Sequence, residues 1–533
     1  MKRLGLFFLI LVFLTGLVWI LIVPIWHFPD EQAHFGQVAY IAATGKNPGP
    51  DNPNLTEEIY VSEVLLGTVR DKFGNNKFTF NPNYRIEYAD TYVGKYEASI
   101  AALAKTDAKG IFVRTESSRY ALPYYLVGAF LYRLSYYSNL FTRVFIVRFW
   151  SIFLFLGTIL ITYRLGKLIF SKDEVSTSVL TILVGFQPMM VFANVGVTSD
   201  ALANFIFTLW LFLSARVIIE NFNIKNVIYL MFITTLAIYL KTQFIVVLPS
   251  FFILLFFIII RQYFRRNNLL VVVSLLFTGL LFFYVFIYLL SSYTGIFFQF
   301  LGNVNIYSLF KFSWEYTIPH TIREVLPWYW GIYDWLGVTY PRIVHRIINR
   351  IIFVSSLGLL LCIYKLVKNK MWRERRTQAI IFLTFISLLY FIAISFYDWM
   401  SWYTQKYQLG VQGRYFFPVI SIHMLLLLIG WRALFPQKWR LKLWGTLLLG
   451  LLMIFLNLYG LYTVAKTYYD LSSLSTFIIQ ASQYKPWFLK GIYLCILILI
   501  YFMTITVFLI KYILYVTSEK RNLSFRCDSR IRE

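Results

Sequence analysis

Two carboxylates and an imidazole stand together in Pro29-Asp30-Glu31-Gln32-Ala33-His34, immediately after the first apolar run of the chain. Ionisable groups beside hydrocarbon lose hydration, so they are rare there unless chemistry, ion passage or a fixed partner offsets the loss. A carboxylate so placed can take the proton of a hydroxyl nucleophile. An imidazole four residues further on shares its helical face and can orient it or complete the proton path. Asp30 is therefore the candidate base, with Glu31 and His34 as its partners. The plainer alternative is that either acid ends a helix or pairs with a lysine.

Further polar groups recur where apolar runs begin or end. Arg119 precedes Leu122-Pro123-Tyr124-Tyr125, while Asn194 and Thr198-Ser199-Asp200 join two runs. Lys241-Thr242-Gln243 interrupts another, and Gln412-Gly413-Arg414-Tyr415 opens a late one. Lys241, Arg119 and Arg414 are cations suited to a phosphate, the arginines through a planar fork of donors. Asn194, Asp200, Gln412 and Tyr415 are read as supporting groups. Each has a structural alternative: Lys241 could snorkel to headgroups, the arginines could hold lipid unspecifically, Asp200 with Asn194 could cap a helix, and His34 could be a simple interfacial histidine.

The elements that must position these groups are membrane spans. Of 533 residues, 59% are hydrophobic, 20% aromatic and only 14% charged, where soluble domains carry about a quarter charged. The net charge of +25 does not indicate nucleic-acid binding, because the Lys and Arg residues cluster in short connectors between apolar runs. The positive-inside rule accounts for them. The three cysteines show neither a disulfide framework nor metal-ligand spacing. Lys2 and Arg3 ahead of a long apolar run without a cleavage site are read as a retained first span.

Runs of spanning length fall at about 4–24, 144–163, 175–193, 200–219, 226–240, 243–260, 269–290, 346–366, 377–397, 415–435, 441–465 and 491–513. The expected fold is thus an all-α polytopic membrane protein, a bundle of about twelve transmembrane helices. With the N-terminus cytoplasmic, every basic connector lies on one side, the C-terminal tail included. The outer side then receives loops 25–119, 291–345, 398–414 and 466–490, the first bearing short surface helices. Residues 120–137, which carry Arg133, are expected to form a re-entrant or interfacial helix. Two modules follow, 1–290 and 291–533. The aromatics Tyr316, Trp328, Trp330, Tyr333, Trp335 and Trp402 of the outer loops could line an acceptor groove or simply form an interfacial belt.

The ordered set resembles the GT-C superfamily of membrane glycosyltransferases, in particular a bacterial branch similar to protein O-mannosyltransferases and lipid A aminoarabinose transferases. The shared features are Pro29-Asp30-Glu31 with His34, a long outer loop ending in a Pro-Tyr-Tyr helix, the Asn194 to Ala203 segment, Leu240-Lys241-Thr242 followed by an apolar run and Pro249, and Gly413-Arg414-Tyr415-Phe416-Phe417-Pro418. The chain departs from that pattern at Ala121-Leu122-Pro123, where relatives place a cation before the prolines, and Arg119 is the proposed substitute.

The resemblance implies an extracytoplasmic active site in a bacterial plasma membrane, with sugar moving from a polyprenyl-phosphate donor to an envelope glycan, lipid or protein. Asp30 would be the base, and Lys241, Arg119 and Arg414 would meet the donor phosphate. Attack opposite the lipid phosphate implies inversion at the anomeric carbon. No cofactor is expected to be required; Mg or Mn held by the paired acids is possible, but lysine and arginine can already offset the single phosphate charge. The rival readings are a flippase or transporter of lipid-linked saccharide, which predicts charges midway along several spans, a polysaccharide polymerase or ligase, and a purely structural membrane protein.

Overall fold

The computed structural model describes residues 2–266 and 305–528, except residues 50, 72–73, 82–87, 89–93, 104–110, 117–120, 221–222 and 437–438; of 267–304 it describes only 273, 279 and 280. The expected span at 269–290 and the boundary near residue 290 therefore lie outside the described residues. The described chain is helical, with two short two-stranded sheets.

In chain order the helices are α1 (Lys2–Ile22), α2 (Glu31–Thr44), α3 (Glu57–Leu66), α4 (Glu97–Ala101), α5 (Pro123–Leu134), α6 (Leu140–Phe170), α7 (Glu174–Gly185), α8 (Pro188–Val195), α9 (Asp200–Ile219), α10 (Ile224–Leu240) and α11 (Val247–Arg266). After them come a helical stretch at 306–330 in which π turns alternate with α turns, and then α12 (Arg342–Lys368), α13 (Arg375–Gln405), α14 (Ile420–Ala433), α15 (Trp439–Tyr468), α16 (Leu474–Ala481) and α17 (Gly491–Asp528). Strand β1 (Leu55–Thr56) pairs antiparallel with β2 (Phe112–Arg114) within the long segment between α2 and α5, and β3 (Ile332–Tyr333) pairs with β4 (Val338–Thr339).

Among the described residues eight helical segments are long and apolar enough to cross a membrane, or nine if the bent pair α7–α8 is one span. Two shorter apolar helices, Phe7–Ile22 and Ile224–Leu240, accompany them. The chain is thus a multi-pass, all-α membrane protein. The 56° bend between α7 and α8 follows from Pro188, which lacks a backbone donor and holds Gln187 extended before it. Backbone freed at such a break must be satisfied inside protein. Here Asn457 donates to the Phe186 carbonyl at 3.0 Å, and Trp19 holds Asn457 in turn at 3.3 Å.

Helix α1 is buried from Leu11 onward except at Phe13, which is partly exposed, and packs on α6, α8, α15 and α17. Helix α9 lies between α6, α10 and α13, and α7 meets α14 and α15. Helices from both ends of the chain therefore interleave. The closest crossing is α12 on α14, where a Cβ on Gly358 would stand 1.9 Å from the Gly430 carbonyl oxygen, so small residues are required for the backbones to touch.

The first outer loop departs from expectation in one respect. Helix α2 is not a surface helix: Glu31 to Ala39 are all buried, because α2 is packed against α5. Helix α5, at 12 residues, is too short to span. It buries Tyr124, Tyr125, Gly128 and Tyr132 and exposes Leu126, Phe130 and Leu134 as an apolar stripe at four-residue spacing. Arg133 donates to the Ala42 carbonyl at 2.7 Å, placing its charge at the C-terminus of α2.

Candidate functional site

Between α1 and α2 the backbone turns through two left-handed residues, Trp26 at φ 65° and Asp30 at φ 55°. Non-glycine residues seldom adopt this conformation unless the surroundings enforce it. Asp30 occupies the N-cap position of α2, yet its carboxylate makes no capping bond. It is 35% exposed and accepts from Arg414 Nη2 at 2.9 Å. Arg70 Nη1 stands 3.6 Å from its other oxygen. Partial enclosure alone would make the carboxyl harder to ionise, but the guanidinium of Arg414, then Arg70 and His34, outweigh this and hold it at about 2.

The second pair is Lys241 Nζ on Asp200 Oδ1 at 2.5 Å. Asp200 is the first residue of α9 with Ser199 as N-cap, so its carboxylate serves the lysine. Lys241 sits in extended backbone where α10 stops and a single 3₁₀ turn, Thr242–Val246, begins, which turns its amine out of the apolar run. Both pairs lie within electrostatic reach of His34, whose ring senses Asp30, Asp200, Arg414 and Lys241. Burial pushes His34 down to about 4, so it is neutral at physiological pH, and its Nδ1 meets the Tyr125 hydroxyl at 2.6 Å. Asp30, His34, Asp200, Lys241 and Arg414 thus form one cluster drawn from α2, α9, the end of α10 and the 3₁₀ segment Gly413–Val419.

The surrounding structure fixes that cluster. The turn before Asp200 is held by Val197 N–H on Glu31 at 3.1 Å and Thr198 N–H on the Tyr124 hydroxyl at 3.0 Å. Gly196 lets this turn press on Phe28, since a Cβ there would come within 2.5 Å of the phenylalanine. Arg414 is set by its neighbours on both sides: a Cβ on Gly413 would stand 2.2 Å from the Tyr329 amide nitrogen, and Tyr390 donates to the Tyr415 carbonyl at 3.0 Å. The guanidinium lies 5.6 Å from the Tyr415 ring centroid. Gln412 is the N-cap of the same segment and contributes its carbonyl to Tyr415 N–H at 3.1 Å.

Glu31 does not join Asp30, and this corrects the expectation that it would orient the base. Asp30 stands as a left-handed N-cap and Glu31 begins the helix, so the two side chains leave the backbone in different directions. Glu31 turns inward, fully buried, to a two-point pair with Arg148 at 2.8 and 2.6 Å. It also accepts from Trp26 N–H at 3.0 Å. Arg148 spends its remaining donors on the carbonyls of Ile20, Val23 and Pro24, sealing the C-terminus of α1. Asn194 is likewise internal, bonded to the Met190 carbonyl at 2.7 Å and to Asn204 at 2.9 Å, and so ties α8 to α9. Arg119 lies outside the described residues. Of the outer aromatics, Trp330 and Tyr333 are buried and so line no open groove, whereas Trp328 is half-buried beside Phe80 and His320.

The site residue that sequence reasoning missed is Arg70, which reaches Asp30 from the long segment between α2 and α5. It is anchored from behind by Glu116, and Arg114 donates to its carbonyl. Nothing in the local sequence distinguishes it from other loop cations. Arg148, by contrast, had a legible signal: an arginine inside an apolar run requires a partner. Among the described residues no group of three or more His, Cys, Asp or Glu side chains is arranged to hold a metal ion, and the carboxylates of Asp30 and Asp200 are already paired with cations.

No curated protein matches the chain. Residues 13–423, a stretch that contains every member of the cluster, match the model of the family described as predicted membrane protein (DUF2142), and the chain belongs to that family.

Proposed function

We propose that this protein is an inverting membrane glycosyltransferase of the GT-C type that moves a sugar from a polyprenyl-phosphate donor to a hydroxyl of an extracytoplasmic acceptor. The observation that carries this reading is the meeting of a partly open carboxylate, Asp30, with Arg414 from 384 residues away, in one cluster with the Lys241–Asp200 pair. Asp30 takes the proton of the acceptor hydroxyl as its oxygen bonds to the anomeric carbon. The bond from that carbon to the phosphate oxygen breaks, and its electron pair leaves with the lipid phosphate. Cations where charge develops lower the barrier most, which suits Arg414 and Lys241. Asp200 holds Lys241 in place, and His34, neutral, lies beside the base.

The test is transfer from a polyprenyl-phosphate sugar in membranes. Asp30→Asn is expected to abolish transfer while the purified protein elutes and melts like the wild type; undiminished transfer would remove the proposed base. Anomer analysis of the product is expected to show inversion, and retention would refute single displacement.

A further inference from the structure

Every cation of the cluster is already matched by a carboxylate: Arg414 with Asp30, Lys241 with Asp200, and Arg70 with Glu116. A singly charged phosphate diester approaching Arg414 and Lys241 would meet their carboxylates, Asp30 and Asp200, as well as the two cations. It gains little unless a cation changes partner.

The two guanidiniums on Asp30 differ in the freedom to do so. Arg70 is 4% exposed, lies 3.6 Å from Asp30 and is tied through Nη2 to Glu116, which Arg114 also holds at 3.3 Å. Arg414 has no second acid in contact among the described residues; its Nη2 binds Asp30 at 2.9 Å, and its buried Nε, like that of Arg70, finds no acceptor there, so what separates the two is the Glu116 anchor on Arg70. A buried donor without an acceptor is costly, and a phosphate oxygen would satisfy it. The planar fork of arginine suits two-point binding of phosphate, and Asp30 engages it through Nη2 alone.

We infer that Arg414 is an exchangeable guanidinium, which leaves Asp30 for the donor phosphate when the lipid binds, while the anchored Arg70 keeps Asp30 ionised and in position. The inference rests on the glycosyltransferase reading. It makes Asp30 competent only when donor is present: Arg414, the strongest of the groups that weaken its hold on a proton, is then drawn onto the phosphate, and the released carboxylate faces the acceptor hydroxyl. Arg70 acts as a positioning residue.

The experiment is binding of farnesyl monophosphate to the purified full-length protein in detergent micelles, for the wild type, Asp30→Asn, Arg414→Gln and the double variant. Asp30 and the phosphate compete for one cation, so Asp30→Asn is expected to tighten binding roughly ten-fold, about 1.4 kcal/mol. In the Arg414→Gln background the same substitution is expected to bring no gain, the coupling that a double-mutant cycle isolates. Unchanged or weaker binding by Asp30→Asn, or an equal gain in both backgrounds, overturns the exchange and leaves the transferase reading intact. A wild type that binds no polyprenyl phosphate overturns both. Arg70→Gln is expected to leave farnesyl phosphate affinity unaltered and to raise the pH at which transfer reaches half its maximum; an unmoved pH profile overturns the role given to Arg70.

Discussion

At the scale of single residues, neighbours Asp30 and Glu31 have opposite fates, and their stability effects should differ accordingly. Glu31 and Arg148 are both fully buried, and removing one partner leaves an uncompensated charge inside the protein. Arg148→Met is expected to cost about 3–5 kcal/mol, read as denaturant or thermal unfolding in micelles. Asp30 is 35% exposed, and Asp30→Asn should stay within about 1 kcal/mol of the wild type. An equal loss for both would make Asp30 a structural acid.

Glu63 offers a separate check, because burial raises its carboxyl to about 7 from an ordinary 4.5, Glu116 adding to the rise and Arg70 opposing it. The folded state then binds a proton that the unfolded chain has already lost between those two values. Stability from this group is complete below pH 4.5 and is lost as pH rises toward 7. Glu63→Gln should flatten the melting temperature across that window; a slope identical to the wild type would contradict it. His34, lowered to about 4 by burial, acts in the other direction, and its contribution fades as pH falls through the acid range.

At the scale of elements, the cluster depends on how chain ends are seated. The 3₁₀ segment bearing Arg414 lies against the backbone of the 306–330 stretch, and a methyl group on Gly413 would meet Tyr329 N and Cα at 2.2 and 2.5 Å. Backbone cannot turn aside as a flexible side chain can, so Gly413→Ala must displace the segment. A misplacement of about 1 Å can cost on the order of a hundred-fold in rate. Transfer is expected to fall by about that factor with the overall melt little changed, and full activity would show that the contact does not set Arg414. The break at Phe186–Pro188 is the complementary case, an interruption that Asn457 satisfies from another helix.

At the scale of the whole molecule, the ends of helices spread along the chain meet at one face. That face is expected to be extracytoplasmic. In a background lacking Cys362, Cys495 and Cys527, Lys46→Cys and Lys406→Cys should react with an impermeant maleimide in intact cells. Lys370→Cys, in the short connector between α12 and α13, should react only after permeabilisation. Labelling of Lys370→Cys in intact cells would invert the topology and with it the proposed donor leaflet.

The membrane class, most span positions and the gathering of polar residues at span ends were legible in the sequence, because hydropathy and the spacing of charges are local properties of the chain. The sequence also placed Asp30 and His34 four residues apart at the start of α2, although each takes its side-chain hydrogen-bond partner from elsewhere in the chain, Arg414 and Tyr125. Other features arose only in the packed molecule. That Glu31 is consumed by Arg148, that Arg70 supports Asp30, that Asn194 faces inward and that α2 is buried all depend on the rotation and tilt of helices against one another. Those are set by side-chain packing between segments 117 or more residues apart in the case of Glu31 and Arg148, and no local pattern encodes them.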